Sequence, residues 1–210
     1  MRLFIFGASG GTGAQLLAQA LGSGHRVTVL ARSPESIPRH AHLTVLRGDV
    51  LEPGVWRQAL AEHDAVLSCL GSADRRPTTI YSQGMTGIVE AMVEAGVRRL
   101  SCITSASLDL SPAAPPGRRL LIGRVVRPLY RHMYADMRRM EHIVTASGLD
   151  WTIIRPPRLT NAPLTGKYQA VADQHLPRTR SLSRADLAHY MLNHLDDRAT
   201  WQATIEISRL

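Results

Sequence analysis

The stretch that decides the fold is Met1 to Leu21, MRLFIFGASGGTGAQLLAQAL, in which Gly7, Gly10, Gly11 and Gly13 stand between two apolar segments. Leu3 to Phe6 is a nearly continuous apolar run of the kind a strand buried on both faces carries. Ala14 to Leu21 repeats its apolar residues at helical spacing. The glycines therefore occupy a strand-to-helix turn. Missing side chains there let the backbone approach a phosphate, and the amides and positive dipole of a helix N-terminus attract its charge. A dinucleotide pyrophosphate meets that description; a tight turn that binds nothing is the plainer reading. The spacing inserts one residue more between the first two glycines than the standard G-x-G-x-x-G pattern.

Working outward, strand and helix patterns alternate. HRVTVLAR reads as a second strand, LTVLRGDV as a third, VWRQALAEH as the helix after it and DAVLSCLG as a fourth strand. Tyr81 to Ala95 reads as a helix ended by Gly96, and VRRLSCITSAS as a fifth strand. The proline-rich SPAAPPGRR reads as a surface loop. A long helix from about Leu129 to Ser147 stops at Gly148, DWTIIRPP gives a sixth strand, SLSRADLAHYMLNHL a serine-capped helix and WQATIEIS a last strand. This alternation predicts an α/β fold with a doubly wound parallel sheet of the Rossmann type. At 210 residues and 44% hydrophobic content, the chain reads as a single domain over residues 1–210.

Composition narrows the function. No apolar stretch approaches membrane-spanning length and no secretory leader pattern opens the chain, so the expectation is a cytoplasmic protein with no membrane partner. Cys69 and Cys102 lie in apolar strand-like runs without metal-ligand spacing and read as buried free thiols. The formal charge of +8 is scattered over loops and helix faces with no nucleic-acid motif. An anionic cofactor and substrate, or a solvated basic surface, explain it without a nucleic-acid partner. The nine histidines, among them His40, His42, His63, His189 and His194, form no cluster with carboxylates, and no metal is expected. Asp186 reads as part of a helix N-terminus.

The end of the second strand selects the nucleotide. An NAD-binding protein usually places there an Asp or Glu for the ribose hydroxyls, and this chain has Arg32 followed by Ser33. A guanidinium can clamp a 2'-phosphate, which favours NADP(H) over NAD; an ordinary surface arginine is the alternative. Asp49, in GDV at the end of the third strand, either meets the adenine together with the Val50 amide or caps the following turn.

GASGGTG, LAQAL, VTVLAR, GDVLEP, DAVLSCLG, PTTIYSQG, IVEAMVEAGV, CITSASL, SGLDWTIIRPP, PLTGKY and ADLAHYMLNHL run in order almost end to end. With them the chain resembles the atypical short-chain dehydrogenase/reductases of the NAD(P)H-binding, NmrA-like group. Within it, the most similar family is that of the flavin reductases and biliverdin-IXβ reductases, for which PTTIYSQG and PLTGKY are the more particular matches. The resemblance implies that Gly7, Ala8, Ser9, Gly10, Gly11, Thr12 and Gly13 hold the pyrophosphate and that Arg32 and Ser33 hold the 2'-phosphate. It places Asp49 and Val50 at the adenine, and Leu70, Gly71 and Ser72 at the adjoining ribose. Thr104 and Ser105 would face the nicotinamide, Pro156 and Pro157 would wall the cofactor, and Arg158 would point toward substrate. The chain departs from the family at Ser36, where a second basic residue is expected, although Arg39 stands nearby. It departs again at Arg158 and Met137, which replace histidines.

The proton donor is the unusual part. Short-chain enzymes pair a tyrosine with a lysine four residues on, whereas here Tyr134 is followed at that spacing by Arg138, with Ser105 upstream. Tyr134 is either a catalytic acid or a packing residue of the long helix. A conjugated acceptor lessens the need for an acid, because it delocalises the charge of an incoming hydride and solvent supplies the proton. The expectation is an NADPH-dependent reductase acting on a flavin, quinone or tetrapyrrole (biliverdin-like) acceptor, as a monomer or weak oligomer. Two alternatives stand beside it: a non-catalytic NADP(H)-binding redox sensor of the NmrA-like type, and a sugar-nucleotide epimerase or dehydratase.

Overall fold

Leu3 to Phe6 have no exposed surface, and they form the strand around which the sheet is built. In the computed structural model, which describes residues 1–72, 76–112 and 114–210, the chain runs β1 (Arg2–Phe6), α1 (Gly11–Gly22), β2 (Arg26–Ala31), β3 (Leu43–Arg47), α2 (Gly54–Ala59), β4 (Ala65–Ser68), α3 (Ser82–Ala95) and β5 (Arg99–Ile103). It continues through α4 (Pro116–Leu121), α5 (Arg127–Leu129), α6 (Arg131–Thr145), β6 (Asp150–Arg155), β7 (Leu159–Thr160), β8 (Tyr168–Ala172), β9 (Leu182–Ser183), α7 (Arg184–Asn193) and β10 (Ala203–Arg209). Eight strands form one sheet in the order β3-β2-β1-β4-β5-β6-β10-β8, and β7 pairs with β9 separately. All neighbours in the large sheet are parallel except β10 and β8. This is the doubly wound Rossmann-type sheet that the alternation predicts, extended by one antiparallel edge strand.

Strand alternation divides the core into two layers. Leu3, Ile5, Val27, Val29 and Ile205 face α1 and α7, which contribute Leu16, Leu17, Leu187, Ala188 and Met191. Phe4, Phe6, Val66, Leu100 and Ile153 face Trp56, α3 and α6, with Met85, Ile88, Met137, Met140 and Val144. A side chain of this size contributes about 1.5–3 kcal/mol when fully buried. The β1 pairings therefore fix the two elements that frame the central cleft, β2 on one side and β4 on the other.

Buried Asp136 ties the second layer together. Its carboxylate accepts the backbone N–H groups of Tyr81 (3.0 Å) and Ser82 (3.3 Å) and the Ser82 hydroxyl, and it pairs with Arg139. It thus satisfies the open N-terminus of α3 from the flank of α6, a capping arrangement supplied by another helix.

Three sequence expectations are corrected. In SPAAPPGRR, Pro116 opens α4, so its last four residues are helical, with proline in the first turn where its missing N–H costs nothing. Ala113 of that segment lies outside the described residues. The helix expected from Leu129 to Ser147 is interrupted at Tyr130 (φ −113°), so that Leu129 closes α5 and α6 spans Arg131–Thr145. VWRQALAEH holds only the short helix α2 followed by a 3-10 turn, Leu60–Glu62. β8 was not anticipated, because its residues are all partly exposed and show no apolar alternation.

Candidate functional site

β1 and β4 are adjacent in the sheet, and from them the strand order runs outward in opposite directions. A crevice opens beyond the carboxyl ends of strands at such a point. Here it is a cleft of about 550 Å³ lined by the glycine turn, the ends of β2 and β3, residues 69–72, Ile103, Leu159 and Arg184.

The turn is built by glycine from the inside. Gly7 adopts φ +77°, and a Cβ on it would lie 2.4 Å from the Cys69 carbonyl oxygen. A Cβ on Gly13 would lie 2.0 Å from the Gly7 oxygen, so α1 can pack this closely on the turn only without a side chain there. The Gly10 amide donates to the Gly7 carbonyl at 3.0 Å. Ser9, Gly10, Gly11 and Thr12 are thereby brought to the cleft wall with Gly7, while Ala8 and Gly13 are buried behind it.

The two long helices of this layer end differently. α7 is capped by Ser183, whose hydroxyl accepts the Asp186 amide at 2.8 Å, and it carries an acid in its first turn. α1 has glycine at its N-cap, no capping side chain and no acid in its first turn. Its N-terminal amides therefore face the cleft without a side-chain acceptor, which fits an anionic phosphate group. This cradle, with Cβ space excluded at Gly7 and Gly13, fits a dinucleotide.

Arg32, at the end of β2, is exposed on the cleft with Gly48, Asp49 and Val50 across from it. Asp49 caps the following turn, its carboxylate accepting the Leu51 amide at 3.0 Å, and it also lines the cleft. Leu70, Gly71 and Ser72 complete the wall, with the Ser72 amide donating to the buried Tyr81 hydroxyl at 3.0 Å. Ser33 does not line the cleft; its carbonyl accepts from the Ser36 hydroxyl at 2.8 Å. Arg39 borders a separate groove between α1 and residues 36–40.

At the other end of the cleft the residues expected to face the nicotinamide are not the ones that line it. Ile103 and Leu159 do. Because neighbours on a strand point to opposite faces, Thr104 turns to the α6 side, where its hydroxyl donates to Glu141 at 2.8 Å. Glu141 also takes a two-pronged contact from Arg155, at 2.9 and 2.7 Å. Burial works against that guanidinium's charge, but Glu141 holds its pKa above the ordinary arginine value. Ser105 accepts the Ser107 amide at 3.2 Å. Pro156 is buried, Pro157 half-buried and Arg158 exposed, and none of the three lines the cleft.

Tyr134 packs against the α3/α6 core, its ring 6.2 Å from that of Tyr130. Arg138, the residue at the lysine position, donates to the Leu108 carbonyl at 2.5 Å. Cys69 lines the cleft with its thiol pushed up to about 12 by burial, and Cys102 is buried. Both are therefore neutral thiols at ordinary pH. Among the described residues no group of three or more His, Cys, Asp or Glu side chains is placed to hold a metal ion.

Two features escaped sequence reasoning. Arg184 opens α7 and lines the cleft, its side chain within 2.8 Å of where a Gly11 Cβ would stand. A cation in the first turn opposes the helix dipole, and that misfit in SRADLA was the available signal. Asp186, expected only as part of a helix N-terminus, also accepts the amides of Thr165 (2.8 Å) and Gly166 (2.9 Å). Burial opposes its ionisation, yet these amides and the Ser183 and Thr165 hydroxyls hold its carboxyl below the usual range.

Fold and cleft together define a nicotinamide-dinucleotide-binding protein with a Rossmann-type sheet. The chain belongs to the NAD(P)H-binding family, whose model matches residues 7–198. It is 28% identical to the uncharacterized sugar epimerase YhfK of Bacillus subtilis, over 99% of this chain and 94% of that protein. A short-chain dehydrogenase/reductase from Veillonella parvula, solved in complex with NADP, superposes with a TM-score of 0.83 at 20% identity, covering 99% of this chain and 94% of that one. The anaerobillin reductase ChuY of Escherichia coli O157:H7 superposes at 0.77 with 23% identity, over 100% and 97%. At these identities the two structures share the fold with this chain.

Proposed function

We propose that the protein is an NADPH-dependent reductase that passes hydride from the nicotinamide to a flavin, biliverdin-like or quinone-like acceptor. The observation that carries the reading is the cleft itself, which joins the open N-terminus of α1 to Arg32 just beyond β2. The amides of Ser9 to Thr12 would bind the pyrophosphate, with Arg184 as a second cation, and Arg32 would clamp the 2'-phosphate. The bound cofactor would supply a hydride at its nicotinamide. The role of this chain at that end is to present an apolar surface, Ile103 and Leu159, against which a flat acceptor can stack.

The acceptor class follows from what stands at the proton-donor position. Arg138 is held by a backbone carbonyl, and no lysine stands four residues beyond Tyr134, so a substrate that takes its proton from solvent is favoured. The same observation favours the second reading, a redox sensor that binds NADP(H) without turnover. Epimerase chemistry, which the name of YhfK suggests, asks more of Tyr134 than this setting supports.

The test is NADPH oxidation by the purified protein with FMN, riboflavin, biliverdin or a simple quinone, and again with NADH. Turnover with one acceptor, much weaker with NADH, supports the reductase. Tight NADPH binding with no turnover on any of them moves the protein to the sensor.

A further inference from the structure

Four of the large apolar side chains that lie exposed among the described residues fall within ten positions: Leu120 (57%), Leu121 (55%), Val125 (53%) and Leu129 (44%). They belong to α4, to a π-helical turn at Ile122–Val126, and to α5. Leu121, Val125 and Leu129 are spaced four apart, which sets them along one side of the helical segment. Between Asp109 and Asp136 the chain contains no acid and five arginines, Arg118, Arg119, Arg124, Arg127 and Arg131. Arg119, Arg124 and Arg131 are exposed.

We infer that this segment docks the protein on an anionic lipid surface. Half-exposed aliphatic side chains interleaved with arginines, and no acids, are the composition of a helix that lies in a membrane interface. The leucines enter the acyl boundary while the arginines reach the phosphates. A second copy of this chain fits worse, because a symmetric contact would set the arginines against their own counterparts with no carboxylate in the segment to pair with them. The expectation of no membrane partner drawn from the sequence rested on the lack of a spanning stretch. No helix of the described residues is long and apolar enough to cross a membrane, and docking on a surface does not require one.

The segment is also fastened to the cleft's acceptor end. Arg127 donates to the carbonyls of Ser107 and Leu108, both at 3.0 Å, and Arg138 donates to Leu108. Ser107 and Leu108 lie four and five positions beyond Ile103, which closes β5 and lines the cleft. Docking would therefore bring the acceptor end to the bilayer, where a lipid-soluble quinone-like acceptor resides. This last consequence rests on the reductase reading; the docking does not.

The test is flotation of the full chain with vesicles of phosphatidylcholine alone or mixed with phosphatidylglycerol, at low and high salt, with NADPH titration as the check of fold. Three exposed arginines near an anionic surface predict binding to the mixed vesicles on the order of a hundredfold tighter than to neutral ones, weakening with salt. Leu121→Glu with Val125→Glu should abolish flotation and leave NADPH affinity unchanged. Arg119→Gln with Arg124→Gln, a pair of surface changes that do not touch the core, should remove the preference for phosphatidylglycerol. The inference is overturned if wild type binds neither vesicle, or if both variants float like wild type. It is also overturned if sedimentation shows that the apolar variant instead dissociates a dimer, or if wild type binds polyglutamate and no vesicle. Turnover with water-soluble FMN reports separately on the reductase reading.

Discussion

Replacing Gly13 with alanine tests the glycine cradle most sharply, because the obstruction is backbone against backbone. The new Cβ would stand 2.0 Å from the Gly7 oxygen and 2.9 Å from the Ala8 Cα. Restoring an ordinary contact distance requires the first turn of α1 to retreat by more than an ångström from the Gly7 carbonyl, and no flexible side chain can absorb that. The amides of Ser9 to Thr12 would then be misplaced against a pyrophosphate. A hydrogen bond to a charged group contributes about 1.5–3 kcal/mol, so losing two weakens NADPH binding by roughly a hundredfold to ten-thousandfold. The matched control is Gly22→Ala at the other end of the same helix, where an added Cβ meets nothing within 4 Å. That change should leave affinity alone and, by helix propensity, raise stability by up to about 1 kcal/mol. NADPH fluorescence titrations and thermal melts of both variants make the comparison. A Gly13→Ala protein that melts like wild type and binds NADPH equally well would refute the reasoning.

Other perturbations separate the parts of the account. Arg32→Ala should weaken NADPH far more than NADH, and equal losses would show that Arg32 does not read the 2'-phosphate. Tyr134→Phe should leave flavin reduction largely intact, whereas a collapse of turnover with NADPH binding preserved would make it the acid. Asp136→Ala strips the cap from α3 and should cost about 3 kcal/mol, lowering the unfolding midpoint by roughly 5–10 °C; an unchanged melt would contradict the role given to that carboxylate. Burial lowers the pKa of His63 and of His25 below the ordinary 6.5. Their folded forms resist protonation that the unfolded chain accepts. Stability from this source is therefore complete above pH 6.5 and is lost as pH falls below it; melts from pH 7.5 to 5 check the slope, which His63→Gln should flatten.

The residues that line the cleft beside the glycine turn lie in short, contiguous stretches, and so they were legible in the sequence. Gly7 to Gly13, Arg32, Asp49 and Leu70 to Ser72 each lie where a strand ends, and the sheet order alone brings those ends together. The other end of the cleft depends on which way single side chains turn. Thr104 follows Ile103 on β5 and so faces away from the cleft, toward Glu141 and Arg155, which are 37 and 51 positions later in the chain. No local pattern records a partnership at that distance. Asp136 was hidden in the same way: an acid within MYADMRRM looks like a solvated helix residue until α3 is laid against it. β8 escaped because an edge strand half-buried along most of its length shows no sharp contrast between a buried and an exposed face.

The measurement that bears most directly on the central claim is an anaerobic single turnover. The protein, loaded with NADPH deuterated at one or the other face of the nicotinamide C4, is mixed with FMN or a quinone, and loss of nicotinamide absorbance is followed. A protein that holds the nicotinamide against a stacked acceptor should show a slowed transfer with one deuterated form and not with the other. Bound NADPH that survives mixing, or oxidation equally fast with both forms, would contradict the reductase.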